Sequence, residues 1–297
     1  MIVVTSGNRN IDIDAYATMI AYANLLNIKG IPAKAVTSTN LNESITKKIL
    51  SMENKLDKYE IRDGDEFIVV DVSDKVFIDD FVDINRVVEI IDHHPGFESE
   101  WKNLGNKAII EPIGAVATII EEMYEKEGYL EQMPQDIAYM LMTAILDNTL
   151  NLKAKVTTPR DIKSYNRLNT IVKNNNLAEE YFKECQESIM INPIEAIKND
   201  TKIGVVSKIL PQVFGQLVLW NIDYFIRNIN LLIETMNTFD DEWIMNLISL
   251  KDGKSYIIAI DEKIKKKMED LFNLKFNDNI MELDDVWLRK EIIKMTI

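Results

Sequence analysis

The acids and histidines of this chain gather at the ends of apolar runs. Val87-Val88-Glu89-Ile90-Ile91 stops at Asp92-His93-His94-Pro95, and His93 and His94 are the only histidines among 297 residues. A short apolar run cut off by polar residues and a proline reads as a buried parallel strand opening into a loop. Open α/β sheets keep their chemistry at such strand ends. Imidazoles beside a carboxylate there suggest metal-assisted hydrolysis. Phe67-Ile68-Val69-Val70 ends likewise at Asp71, Met140 to Leu146 ends at Asp147, and Ile2 to Thr5 leads to Asp12 and Asp14. One acid in such a place is commonly a cap. Four segments that each deliver acids after an apolar run imply a carboxylate-rich site on one sheet edge.

The secondary structure around these residues is legible in the same patterns. Ile2-Val3-Val4-Thr5 predicts a first strand, and apolar residues at helical spacing predict a helix over 15–26. Asp12 and Asp14 stand two apart in what reads as an extended loop, so both can face one side; Asp14 alternatively caps the helix. Ser73 or Asp74 caps the segment after the second strand. Pro112-Ile113-Gly114-Ala115-Val116-Ala117-Thr118 opens a helix whose small residues admit close approach to the sheet. Its free N-terminal amides suit an anion, and tight packing alone accounts for the same residues equally well.

Residues 157–185 read as polar and helical, and the composition change at Ile191-Asn192-Pro193 predicts a linker. The chain thus divides into domains 1–190 and 191–297. The second, smaller half reads as mixed α/β, with strands over 202–210 and 216–222. A hairpin is expected where Trp243 to Leu250 and Ser255 to Ile260 flank Lys251-Asp252-Gly253-Lys254. Lys263, Lys265, Lys266 and Lys267 read as a solvated helix face. Adjacent Arg289 and Lys290 suit a phosphate clamp, although such pairs are more often plain surface charges.

Composition narrows the classes. A formal net charge of −14 argues against general binding of nucleic acid or anionic membranes. An anionic substrate then needs bound cations or a local basic patch. The one cysteine, Cys185, permits no internal disulfide, fits a cytoplasmic location and reads as a small buried apolar group. The N-terminus lacks the basic start and apolar core of a signal peptide. The most apolar later stretch, 204–220, is interrupted by Lys208, Pro211 and Gln212, which excludes it as a membrane span.

Asp92-His93-His94 resembles the signature of the DHH phosphoesterases. Asn10-Ile11-Asp12-Ile13-Asp14 resembles their first motif, Asp71 their second, Asp147-Asn148-Thr149 their fourth, and Gly114-Ala115-Val116-Ala117-Thr118 their small-residue helix start. The C-terminal half is similar to the associated DHHA2 domain, whose Ser-Arg-Lys motif matches Leu288-Arg289-Lys290. Within the family, this two-domain form resembles the manganese-dependent (family II) inorganic pyrophosphatases and the related exopolyphosphatases and prune proteins. The chain departs from the pyrophosphatase pattern at Gly7-Asn8, where Gly-His is usual, and at Leu288. Gly-Asn and the stretch 151–157 are more similar to the exopolyphosphatase and prune branch. A phosphate-binding lysine that pyrophosphatases carry early in the second domain has no secure match, its position falling at Ile194.

The resemblance implies an α/β fold: a mostly parallel sheet flanked by helices, followed by the smaller mixed domain. It implies hydrolysis of pyrophosphate or short polyphosphate by two divalent ions, Mn²⁺ or Mg²⁺, about 3.5–4 Å apart, which activate a bridging water and clamp phosphoryl oxygens. Asp12 and Asp71 would hold the first ion, with Asn8 in the place of the usual histidine. Asp14, Asp71, His93 and Asp147 would hold the second, with Asp71 bridging. His94 would act on the leaving oxygen as donor or general acid, and Arg289 and Lys290 would grip the substrate. An amide oxygen is a weaker ligand than imidazole, so Asn8 implies a first site that favours magnesium or exchangeable binding. An exposed edge strand in the first domain would support a homodimer. Two other readings compete. A phosphodiesterase on oligonucleotides or cyclic dinucleotides would carry a Gly-Gly-Gly-His-type motif late in the chain, and none is present. A degenerate phosphate-binding homologue has no need to keep so many mutually repelling acids.

Overall fold

β1 (Ile2–Thr5) is followed by α1 (Ile13–Ile28), β2 (Ala33–Ala35), the single turn α2 (Lys47–Leu50), β3 (Glu66–Val70), β4 (Val87–Asp92), β5 (Ala108–Ile110), α3 (Val116–Glu127), α4 (Gln135–Asn148) and α5 (Pro159–Val172). The computed structural model describes residues 1–296 of the chain. The five strands form one sheet in the order β2-β1-β3-β4-β5, and every pairing is parallel. Strands covered on both faces need near-continuous apolar sequence, which Val3, Val4, Phe67 to Val70, Ile90 and Ile91 supply; all are buried. Each such side chain contributes about 1.5–3 kcal/mol on burial. Helix α1 is apolar almost all round and buried from Ile13 to Ala23, then at Leu25 and Leu26, as expected of a central helix.

The strand order fixes where a ligand can sit. After β1 the chain moves to one side to form β2 and then to the other to form β3. The crevice outside β1 and β3 is therefore the topological switch point of the sheet, the usual binding place in open α/β folds. Asp12, Asp71 and the Asp92-His93-His94 run all follow the C-terminal ends of these strands or of neighbouring β4.

The second unit continues with α6 (Leu177–Ile191), α7 (Pro193–Asn199), β6 (Thr201–Lys202), β7 (Val213–Leu219), α8 (Asp223–Arg227), α9 (Ile229–Met236), β8 (Trp243–Ser249), β9 (Lys254–Ile258), α10 (Glu262–Phe272), β10 (Ile280–Leu283) and α11 (Arg289–Lys294). Its sheet runs β10-β9-β8-β7-β6 and is mixed: β7 and β8 are parallel, the other pairs antiparallel. Phe225, Leu232, Met236 and Trp243 fill one of its cores, and Phe214, Ile244, Ile264 and Ile292 the other. The expected β8–β9 hairpin is present.

The compact units divide between Ala178 and Glu179, within α6. Several expectations are corrected. The expected linker at Ile191-Asn192-Pro193 is a helix-to-helix junction, where the Asn192 side chain accepts from Glu195 N at 3.3 Å and Pro193 begins α7. The strand expected over 202–210 shrinks to Thr201–Lys202, because Gly204 turns the backbone to φ 77°. Lys265 is not fully solvated; its side chain is 12 % exposed. Cys185 is half-buried. Among the described residues, no helix is long and apolar enough to cross a membrane.

Candidate metal centre

The first helix does not begin as expected. Asp12, in extended backbone, is its N-cap and accepts from Ala15 N at 3.0 Å. Asp14 lies inside the first turn of α1 and is completely buried. Its two oxygens accept from Val116 N at 2.8 Å and Ala117 N at 2.9 Å, the free amides that open α3. The acceptor at that helix N-terminus is therefore a carboxyl group of the protein itself. A second one, Asp161, accepts from Gly114 N at 3.1 Å and from Thr118 Oγ1 at 2.7 Å while it caps α5 through Thr158. Tight packing is also real: a Cβ on Gly114 would come within 2.6 Å of Thr149 Cγ2.

Asp71 follows β3 at φ 60°, a conformation Asp tolerates better than most residues and one that clusters at functional sites. Its backbone N–H donates to Ile91 O at 2.8 Å, which ties it to β4. One β4 turn supplies the rest. Asp92, wholly buried, accepts through one oxygen from His93 N at 2.7 Å, His94 N at 3.2 Å and His94 Nδ1 at 2.8 Å. His93 Nδ1 lies 3.1 Å from Ile113 O. A carbonyl only accepts, so Nδ1 carries the proton and a neutral ring turns its Nε2 lone pair elsewhere. Nε2 lies 3.4 Å from Asp71 Oδ1, yet Asp71 Oδ1 has no hydrogen-bond partner, nor has Asp92 Oδ2.

Together, Asp71, Asp92, His93 and His94 offer ligand atoms that all lie within 4.8 Å of one another. Asp12, Asp14 and Asp147 fall outside that group. Asp12 and Asp14 still act on it by charge, both raising Asp71 and His94. Asp147 is half-buried in the last turn of α4. Asn8 donates from Nδ2 to Val76 O at 3.2 Å and to Asp80 Oδ1 at 3.1 Å. It lines a neighbouring cavity with Ser38 and Asp80, not the one that Asp12, Asp71 and His94 line.

The electrostatics are those of acids crowded with little counter-charge, His94 being the cation that lowers Asp14 and Asp92. Burial, then the charge of Asp12, pushes Asp14 up to about 8, against the two amide bonds. Burial first, then Asp14, Asp12 and Asp92, raises Asp71 well above the carboxylate range. Burial and the neighbouring His94 lower His93, which keeps it neutral and ligand-competent. The bond to Asp92 raises His94 against its burial. Burial works to raise Asp92 as well, but His94 outweighs it and holds the acid below its usual value.

In the second unit Arg289 opens α11. Its Nη1 donates to Asp200 O at 2.5 Å and Phe214 O at 2.9 Å, and its Nη2 lies 3.1 Å from Asp200 Oδ1. Lys290 is exposed. Leu288 cannot cap the helix as a serine would; instead Glu291 Oε2 accepts from Leu288 N at 2.8 Å.

Sequence reasoning gives Asp92 no role of its own, and it misses Asp161. The Thr158-Pro159-Arg160-Asp161 start, a capping-box pattern, is the available signal for Asp161. It also misses the buried pair Glu121–Arg167, which joins α3 to α5 over a separation no local pattern reveals.

Residues 2–145 match the model of the DHH family, N-terminal domain. The chain is 26% identical over 308 aligned residues to the manganese-dependent inorganic pyrophosphatase of Methanocaldococcus jannaschii, covering 96% of this chain and 94% of that protein. It is 32% identical over 173 residues to the probable manganese-dependent inorganic pyrophosphatase of Bacillus licheniformis, where it spans only about half of that relative's length, 55%. The fold matches the crystal structure of a Methanococcus jannaschii putative family II inorganic pyrophosphatase, with a TM-score of 0.58 at 24% identity over 99% of this chain and 98% of that one. That family match takes in 144 of the chain's 297 residues, and Asp12, Asp14, Asp71, Asp92, His93 and His94 all lie within it.

Proposed function

We propose that this chain hydrolyses the phosphoanhydride bond of pyrophosphate or short polyphosphate with the help of bound Mn²⁺ or Mg²⁺. One observation carries the proposal. A neutral His93 turns a lone pair toward Asp71 Oδ1 at 3.4 Å, and that buried oxygen has no hydrogen bond. Two lone pairs facing each other in a buried place repel unless a proton or a cation lies between them, and the acids Asp12, Asp14 and Asp92 around Asp71 favour a cation of more than one charge. Carboxylate oxygen with imidazole nitrogen is a donor set that suits Mn²⁺, and oxygen-rich surroundings suit Mg²⁺ as well. The relatives named as manganese-dependent pyrophosphatases support the same choice of ion and substrate.

Asp71 and His93 would hold the metal, with Asp12, Asp14 and Asp147 completing a two-ion site, which Asn8 would join by turning its amide from Val76 O and Asp80 Oδ1. When bound, two such ions supply an activated water and neutralise phosphoryl charge. The chain's own residues do the rest. Ile113 O fixes the tautomer of His93, which is the usual task of a group behind a metal-binding histidine. Asp92 holds His94 by Nδ1 and favours its charged form. The ring of His94 is 59 % exposed, so its Nε2–H is placed to donate to the oxygen of the departing phosphate. Arg289 and Lys290 would bind substrate phosphate. The domain division at 190 and 191, a cytoplasmic location, the absence of general nucleic-acid binding and a homodimer through an exposed strand edge belong to the same proposal.

Phosphate release from pyrophosphate and tripolyphosphate, with Mn²⁺ or Mg²⁺, tests it. Turnover that Asp71→Ala abolishes is expected. A protein silent on both, yet active on a dinucleotide, would make it a phosphodiesterase instead.

A further inference from the structure

Arg9 stands where two cavities meet. One, of about 220 Å³, is lined by Asp12, Asp71, His94, Arg9 and Asn10, the last two of which it shares with its neighbour. The other, of about 290 Å³, is lined by Asn10, Asn40, Asp80 and, again, Arg9. Among the described residues lining the two, Arg9 is the only lysine or arginine. Its guanidinium carbon lies 4.0 Å from the ring centroid of Phe77, a cation–π contact that holds the group without using its N–H donors. It makes no ion pair and no hydrogen bond among the described residues, although the chain has 48 acids to its 34 lysines and arginines. The side-chain amides of Asn10 and Asn40 likewise have no hydrogen-bond partner among the described residues, so three donor groups face the second cavity. Asp80 opposes an anion there, with one oxygen already taken by the Asn8 amide at 3.1 Å.

We propose that Arg9 grips a phosphate beyond the scissile bond and that the cavity of Asn10 and Asn40 receives the rest of the chain, which suits this site to polyphosphate of three or more phosphates. The inference rests on the functional reading above. A planar fork of N–H donors matches phosphate oxygens. Pyrophosphate fills the acidic cavity and reaches only one edge of Arg9. A longer chain passes the guanidinium and carries its remaining charge to the amides. Arg9 is then a specificity-determining residue.

The test is steady-state hydrolysis of pyrophosphate and tripolyphosphate by the full chain with Mn²⁺, for wild type, Arg9→Gln and Arg9→Lys. Arg9 is exposed, and matched melting curves would show that all three fold alike. The ratio of kcat/KM for tripolyphosphate to that for pyrophosphate should fall by about tenfold or more in Arg9→Gln, mostly through KM, with partial recovery in Arg9→Lys. An unchanged ratio overturns the inference and leaves the functional reading intact, as does a wild-type protein that hydrolyses pyrophosphate but not tripolyphosphate. A wild-type protein that hydrolyses neither overturns both.

Discussion

His93 Nε2 and Asp71 Oδ1 face each other at 3.4 Å with no hydrogen bond between them. The Ile113 carbonyl holds the proton of His93 on the opposite nitrogen. On the proposed reading, removing either partner removes a metal ligand, not merely a contact. His93→Ala should weaken Mn²⁺ binding on the order of a hundredfold, at or above the loss seen when only an outer partner of a ligand is removed. Isothermal titration calorimetry checks this. Affinity within a factor of two of wild type would place the ion elsewhere.

Acids crowded at a buried sheet edge make the metal-free protein sensitive to pH. Asp14 is raised from its ordinary value to about 8. A carboxyl raised by folding contributes stability that is fully present below the unfolded value, near 3.8, and lost as pH climbs through about 8. Melting temperature in EDTA should therefore fall between pH 5 and pH 8, and Asp14→Asn should flatten that slope. The variant also loses about 1–2 kcal/mol, because its amide nitrogen meets the Ala117 N–H, donor against donor. A wild-type curve with no slope in that window would contradict this.

Divalent cations should reverse the effect. A hundredfold excess of Mn²⁺ over Kd stabilises by about 2.7 kcal/mol, which for a unit of this size is several degrees of melting temperature. The shift should grow from pH 6 to pH 8 as the acids ionise. Equal shifts in wild type and Asp71→Asn would show binding away from the centre.

Asp92 holds His94 by Nδ1 at 2.8 Å and raises its pKa. The proton on His94 is thus retained to higher pH and lost as pH rises through that raised value. Asp92→Asn keeps an acceptor but removes the charge, so the His94 titration should move to lower pH and the alkaline limb of the activity profile should move with it. With only two histidines in the chain, their NMR resonances are readily assigned. A His94 titration that does not move would remove Asp92 from the mechanism.

Away from the centre, Glu121 is fully buried and paired with Arg167. Arg167→Ala leaves that carboxylate without its partner and should cost about 3 kcal/mol of stability, measured by urea unfolding, with Mn²⁺ affinity nearly unchanged.

Legibility in the sequence depends on the range of the cause. The strands ending at Asp71 and Asp92 are readable because a buried parallel strand needs consecutive apolar residues and ends where they end. The β8–β9 hairpin is readable from its turn. The position of Asp14 is not, since it depends on α3 arriving with two free amides about a hundred residues later in the chain. The same holds for Asp161, whose cap is visible locally while its hold on Gly114 is not. Reading 202–210 as strand fails because apolar content is weighed above Gly204. Asp92 reads as part of a signature and so receives no task, and the pairing of its oxygen with His94 emerges only in three dimensions.

On the mechanism proposed, His93 and Asp71 would hold a divalent cation. The decisive measurement is Mn²⁺ binding followed by electron paramagnetic resonance, in wild type and in Asp71→Asn. Bound Mn²⁺ is expected in wild type, with ¹⁵N hyperfine coupling from labelled histidine, and loss of that signal in the variant. Mn²⁺ bound equally by both proteins, with no histidine coupling in either, would contradict it.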